Sequence, residues 1–154
     1  MSTSTTGSPV APPPSASPFE ALVQTTHRFF WCLDEFRYDE LVAMFLPQGT
    51  WHRQGKVLAG PAQILAALNE RPRSQRIRHV VSNAFIERME GDDVAHFICY
   101  MIGYRADEGV PKPAPQTIDG PLRLLVVRTR FERQQGVWRI AEQIAAPEFD
   151  FRSR

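Results

Sequence analysis

Arg76-Ile77-Arg78-His79-Val80-Val81-Ser82-Asn83 is the stretch on which the fold turns: it alternates like a strand, yet carries a histidine where an apolar residue is expected. Period two puts Ile77, His79, Val81, Asn83 and Phe85 on one face, and Arg78, Val80, Ser82, Ala84 and Ile86 on the other. The run continues to Met89, breaks at Glu90-Gly91-Asp92-Asp93 and resumes from Val94 to Tyr104, which predicts an antiparallel hairpin. With Gly91-Asp92 as a two-residue loop, Glu90 faces Asp93, His79 faces Tyr104, Val81 faces Ile102 and Asn83 faces Tyr100. A histidine, an asparagine and two tyrosines among aliphatic residues predict the wall of a pocket.

Upstream, Ser17-Pro18-Phe19-Glu20 reads as a capping box with proline at the first helical position. Phe19, Leu22, Val23, Thr26, Phe29, Phe30 and Leu33 then recur at helical spacing. At about 100° per residue, Asp34 falls on the flank of that apolar face, near Phe30, where a carboxylate needs a partner. Arg37 to Phe45 predicts a second short helix, stopped by Pro47-Gln48-Gly49. Thr50 to Leu58 suggests a small hairpin about Gln54-Gly55, and Gly60-Pro61 opens a third helix that ends by Arg71-Pro72.

Downstream, Ala106 to Thr117 carries three prolines and is expected to be a loop at the pocket rim. Leu122 to Glu132 and Val137 to Ala145 predict a last hairpin about Gln134-Gln135-Gly136, with Trp138 near Phe131 across the ladder. Three helices followed by an antiparallel sheet predict an α+β architecture, with the N-terminal helices packed on one face of a curved sheet. Apart from Met1 and Val10, residues 1–17 are Ser, Thr, Pro, Ala and Gly with no charged side chain, a composition that cannot bury enough surface to order itself; they are read as a disordered tail before a single domain at 18–154.

At 154 residues and 43% hydrophobic content, the chain suits one domain with a real core. A net charge of +1 argues against nucleic acid or a membrane surface as the main partner. Arg71, Arg73, Arg76 and Arg78 are a local exception, either a solvated edge or a contact for an anion or partner. Cys32 and Cys99 have no paired spacing and read as reduced, buried thiols. No apolar run reaches ~18 residues, and the start lacks a signal-peptide pattern, so a cytoplasmic protein is expected. His27, His52 and His96 share no metal-ligand spacing, and no serine-nucleophile, phosphate-loop or dinucleotide motif occurs; neither a metal nor a cofactor is expected.

Three stretches stand out together: Phe29-Phe30-Trp31-Cys32-Leu33-Asp34 before Tyr38-Asp39-Glu40-Leu41, the Arg78-His79-Val80-Val81-Ser82-Asn83 strand, and Gly136-Val137-Trp138-Arg139-Ile140-Ala141. With them the chain resembles the nuclear-transport-factor-2-like superfamily in its SnoaL-like branch. The resemblance spans roughly Phe19 to Phe151. The branch includes scytalone-dehydratase-like enzymes and the β subunits of aromatic-ring-hydroxylating dioxygenases. It implies a cone, a bent sheet wrapped against helices around an apolar pocket.

In the dehydratase-like members a helix aspartate orients a strand histidine that moves a proton, positions matching Asp34 and His79. Their further histidine on the next strand corresponds to Tyr104 in the register above, and their later asparagine falls near Val127. In the dioxygenase β subunits a similar pair occurs without iron or a catalytic role. A carboxylate bound to one ring nitrogen fixes the tautomer and frees the other nitrogen for proton transfer; the plain alternative is a satisfied buried histidine.

Tyr104, Tyr100 and Asn83 are candidates to orient a substrate oxygen or simply to fill the pocket. Trp31, Phe30, Trp51 and Met101 are candidate lining or core. The expected activity is lyase or isomerase chemistry, dehydratase-like, on an aromatic or polyketide-like compound. The alternative is a dioxygenase-β-like scaffold with a larger α-like partner, or a ligand-binding module. A homo-oligomer, dimer or trimer, is expected through the sheet.

Overall fold

The computed structural model describes residues 16–152. Helix α1 (Pro18–Asp34) starts as the capping box requires: the Ser17 hydroxyl accepts from the Glu20 N–H, and the Glu20 carboxylate accepts from the Ser17 N–H at 2.8 Å. Its buried face runs Leu22, Thr26, Phe29, Phe30, Leu33 and Asp34. The chain then turns through Phe36, whose φ of 59° lies in the left-handed region, into the short helix α2 (Tyr38–Val42).

The expected second helix stops before Phe45, because Phe45 and Leu46 are both buried and open a strand, β1 (Phe45–Arg53). Pro47 does not end an element; it sits in an irregular stretch of β1 where the ladder to its neighbour is interrupted. β2 (Lys56–Ala59), helix α3 (Gly60–Asn69), β3 (Arg76–Glu90), β4 (Val94–Ala106), β5 (Arg123–Gln134) and β6 (Val137–Asp150) follow. β6 therefore runs past the expected end at Ala145, through Pro147 to Asp150.

The six strands form one curved, unclosed sheet in the order β2-β1-β6-β5-β4-β3. Four pairings are antiparallel, as expected, but β1 and β6 run parallel, with Trp51 beside Gln143. Gly49 lets these two strands approach, since a Cβ there would lie 2.7 Å from the Ile140 carbonyl oxygen. The core lies between helices and sheet and is strongly aromatic: Phe29 meets Trp51 edge-on at 5.1 Å and Phe45 at 6.0 Å, and Phe97 meets Phe131 at 5.9 Å. In the last hairpin, Trp138 pairs with Arg133, while Phe131 pairs with Ile140.

The β3–β4 register differs from the expected one. Three residues, Gly91 to Asp93, form the loop, so Glu90 faces Val94. Two irregularities on β3, between Ile86 and Arg88 and between Ser82 and Phe85, then shift the ladder back past the two-residue-loop register. The second centres on Asn83, with φ at 53°, a conformation asparagine tolerates better than most residues. His79 consequently faces Gly103, and Tyr104 faces Arg78. Among the described residues no helix is long and apolar enough to cross a membrane. The disordered tail expected over 1–17 falls almost wholly outside the described residues.

Candidate functional site

Asp34 is the last residue of α1 and His79 lies on β3, at the edge of the sheet. The Asp34 carboxylate makes two bonds there: Oδ1 is 2.5 Å from His79 Nδ1, and Oδ2 accepts the His79 backbone N–H at 2.9 Å. Because an ionised carboxylate can only accept, Nδ1 carries a proton and Nε2 is left as the basic nitrogen. Side-chain exposure is 5% for Asp34 and 10% for His79, so solvent competes little with the contact. Phe30 packs on the imidazole at 5.1 Å between ring centroids and holds it from the helix side.

His79, but not Asp34, lines a cavity of about 370 Å³ between the helices and the concave face of the sheet. The carboxylate thus stands behind the ring, and the ring faces the cavity. Phe30, Leu33, Trp51, Leu58, Leu68 and Met101 give the cavity its apolar walls. Gly103, opposite His79, lines it too, and a Cβ there would lie 3.7 Å from Cδ2 and 3.8 Å from Nε2 of the imidazole. The missing side chain keeps space open beside the basic nitrogen.

Two further groups complete the site. Gln143 is 3% exposed; its Oε1 accepts from Thr129 Oγ1 at 3.2 Å, and its Nε2 has no partner among the described residues. Arg71 spans the end of α1, donating to the carbonyls of Leu33 at 2.5 Å and Gln75 at 3.0 Å, and its guanidinium stacks on Phe36 at 3.8 Å. A cation at a helix C-terminus is favoured by the exposed carbonyls, and this one fixes the turn that follows Asp34. Burial holds the Arg71 guanidinium below its usual pKa, opposed by Tyr38 and Asp34.

A SnoaL-like domain model matches residues 16–143 of the chain. This chain belongs to the SnoaL-like domain family. No curated protein matches it. Solved structures of similar fold include a putative scytalone dehydratase from Novosphingobium aromaticivorans, 17% identical, with 87% of each chain covered and a TM-score of 0.68. The β subunit of a putative aromatic-ring-hydroxylating dioxygenase from the same organism is 14% identical, covers 85% of this chain and 89% of its own, and has a TM-score of 0.67. A protein of unknown function with a cystatin-like fold from Nostoc punctiforme is 16% identical, with 86% and 93% covered and a TM-score of 0.65.

In this SnoaL-like domain the expected site residues divide between two faces. Asp34, His79, Phe30 and Trp51 meet at the concave side, Trp51 being 3% exposed. Tyr104, Tyr100 and Asn83 are corrected: the one-residue difference in register turns both tyrosines to the convex face, and the bulge turns Asn83 outward. Asn83 and Tyr100 line a separate shallow cleft there with Phe85 and Phe149. Trp31 is also corrected, since it lies on the outer side of α1 and is 55% exposed.

The expected rim loop does not line the main cavity; Pro111, Lys112 and Gln116 border a smaller cleft beside Asp34. The arginine patch is not a uniform solvated edge: Arg71 is structural, and Arg78 pairs with Glu35 at 2.7 Å. Among the described residues no three His, Cys, Asp or Glu side chains gather as a metal site.

Gln143 was missed because alternation from Trp138 and Ile140 points to Glu142, whereas a register shift at Ala141 turns Gln143 inward. Glu142 instead meets His52 at 3.2 Å on the other face.

Proposed function

We propose that the protein is a small-molecule lyase or isomerase that moves a proton by means of His79. The observation that carries this reading is the Asp34–His79 contact, set so that the ring faces the cavity with open space beside Nε2 at Gly103. Nε2 takes a proton from a carbon made acidic by a neighbouring carbonyl, and Asp34 stabilises the imidazolium that results. Returning that proton to a departing hydroxyl releases water, a dehydration; returning it to another carbon gives an isomer. The cavity suits a compact aromatic or polyketide-like compound, and none of these steps calls on a cofactor.

The test is a screen of aromatic and polyketide-like hydroxy compounds for water loss or isomerisation, with wild type and His79→Ala side by side. Turnover by wild type that collapses in folded His79→Ala supports the reading. Turnover that survives the substitution removes His79 as the base.

A second reading, a non-catalytic subunit like a dioxygenase β chain, is favoured by the convex face, where Phe85, Tyr100 and Phe149 are 49%, 41% and 59% exposed. Such a surface suits another protein chain. Light scattering of the pure protein separates self-association as a dimer or trimer from a monomer, and co-purification of an iron-containing α-like partner would favour this reading.

A further inference from the structure

The cavity is far more cationic than the chain. Overall the charges nearly balance, with 18 Lys and Arg against 17 Asp and Glu. The cavity lining holds Arg53, Lys56, Arg71, Arg105 and Arg123, and a single carboxylate, Glu70. Among the described residues Arg53, Lys56 and Arg105 have neither an ion-pair nor a side-chain hydrogen-bond partner, whereas Arg123 is paired with Asp150. The guanidinium of Arg71 is engaged by carbonyls, so no carboxylate contact neutralises its charge.

Arg53 is the decisive member. It is half-buried, on the same strand as Trp51, with its guanidinium 4.5 Å from the centroid of the indole that forms part of the cavity wall. Stacking covers one face of the fork and leaves its N–H edge for a ligand. Burial also pushes Arg53 below its usual pKa, opposed by Tyr38 and reinforced by the nearby Arg71 charge. A half-buried cation without a counter-charge is costly to keep unless something supplies one.

We infer that the ligand of this cavity is an apolar acid, whose carboxylate is bound by Arg53 while its hydrocarbon body lies against Phe30, Leu33 and Met101. This deepens the proposed function and rests on the His79 cavity being the ligand site. A planar carboxylate matches the two parallel N–H groups of a guanidinium, so the contact both selects and orients the substrate. Lys56 and Arg105 add attraction for an anion at the lining. An acid held in this way is bound in one direction, which is what a single base at His79 needs.

The test is calorimetric titration of the full-length protein with naphthalene-2-carboxylate, its uncharged carboxamide and 2-naphthyl phosphate. Wild type is expected to bind the carboxylate at least about tenfold more tightly than the amide, a difference of ~1.4 kcal/mol. In Arg53→Gln that preference should fall to within about threefold, while Arg53→Lys keeps part of it. Circular dichroism checks each variant's fold, and the wild-type comparison stands whether or not a variant folds.

Equal binding of acid and amide, binding of neither, or a preference that persists in folded Arg53→Gln overturns the inference. So does tighter binding of the phosphate. His79→Gln should retain the preference; its loss there, with Arg53 intact, would make the imidazole the anion receptor instead. No arm depends on turnover, so a failure of the proton-transfer reading leaves this result distinct.

Discussion

The carboxylate of Asp34 holds His79 at two points, its ring nitrogen and its own backbone N–H, and so ties the end of a helix to the edge of a sheet. Asp34→Asn keeps the shape but replaces one acceptor with an N–H₂ donor, so either the ring or the backbone loses its partner. Under the proton-transfer reading turnover should fall by ~10²–10⁴-fold. Losing one hydrogen bond to a buried charged acceptor should also cost about 1.5–3 kcal/mol of stability. Steady-state rates and chemical unfolding of the same preparation check both; an unchanged midpoint would show the contact to be weak in solution.

Gly103→Ala tests the space beside the imidazole. A methyl group at 3.7–3.8 Å makes ordinary contact with the ring, and the position is outside the left-handed region, so the fold should tolerate it. Ligand access to Nε2 should not: a displacement of about 1 Å in the reacting pair is enough to lower the rate ~10²-fold. Unfolding near the wild-type temperature with impaired turnover is the expected pair of results. Full activity would mean that the substrate does not use this space.

Much of this site could be read from the residues alone, and the limit is local. Asp34 on the flank of α1 follows from 100° per residue, and its need for a partner from its charge; the capping box fixes where the count begins. Alternation then carries His79 inward but fails past Asn83 and past Ala141, where one extra residue reverses every later side chain. A bulge depends on how a strand fits its neighbours, which periodicity does not record. For that reason Tyr104 and Tyr100 were expected inside, and Gln143 and Gly103 were not.

Both cysteines should be inert in the folded protein. Burial pushes the Cys99 thiol up to about 12 and raises Cys32 as well. Folding therefore favours the neutral thiol: the contribution of Cys99 is fully present below its ordinary value of 9.0 and is lost as pH rises from there through about 12. At pH 8 a colorimetric thiol reagent should find almost nothing in the native protein and two equivalents after denaturation. Rapid labelling of the native form would show that the core opens readily.

The cap of α1 makes a smaller claim. Ser17→Ala should cost about 1 kcal/mol by removing an acceptor for the first turn. Bonds from Ser17 hold the Glu20 carboxyl below its usual value, so its stabilising effect is present at neutral pH and fades as pH falls through that lowered value. The difference between wild type and Ser17→Ala should shrink in acid; thermal melts at pH 7 and pH 3 measure it. A constant difference would assign the loss to the hydroxyl alone.

The parallel seating of β1 against β6 sets an order of events for a chain made from one end. β1 lies between β2 and β6, so the half of the sheet that carries Arg53 and Trp51 is joined to the half that carries His79 only through the strand synthesised last. Until Gln143 emerges from the ribosome, the sheet is in two parts, bridged only by α1 through Phe29 and Asp34, with open edges at β1 and β5. Premature termination before Val137 would thus do more than shorten the protein. It would release a species whose two bare strand edges each invite another copy, and molecular chaperones are suited to cover that interval.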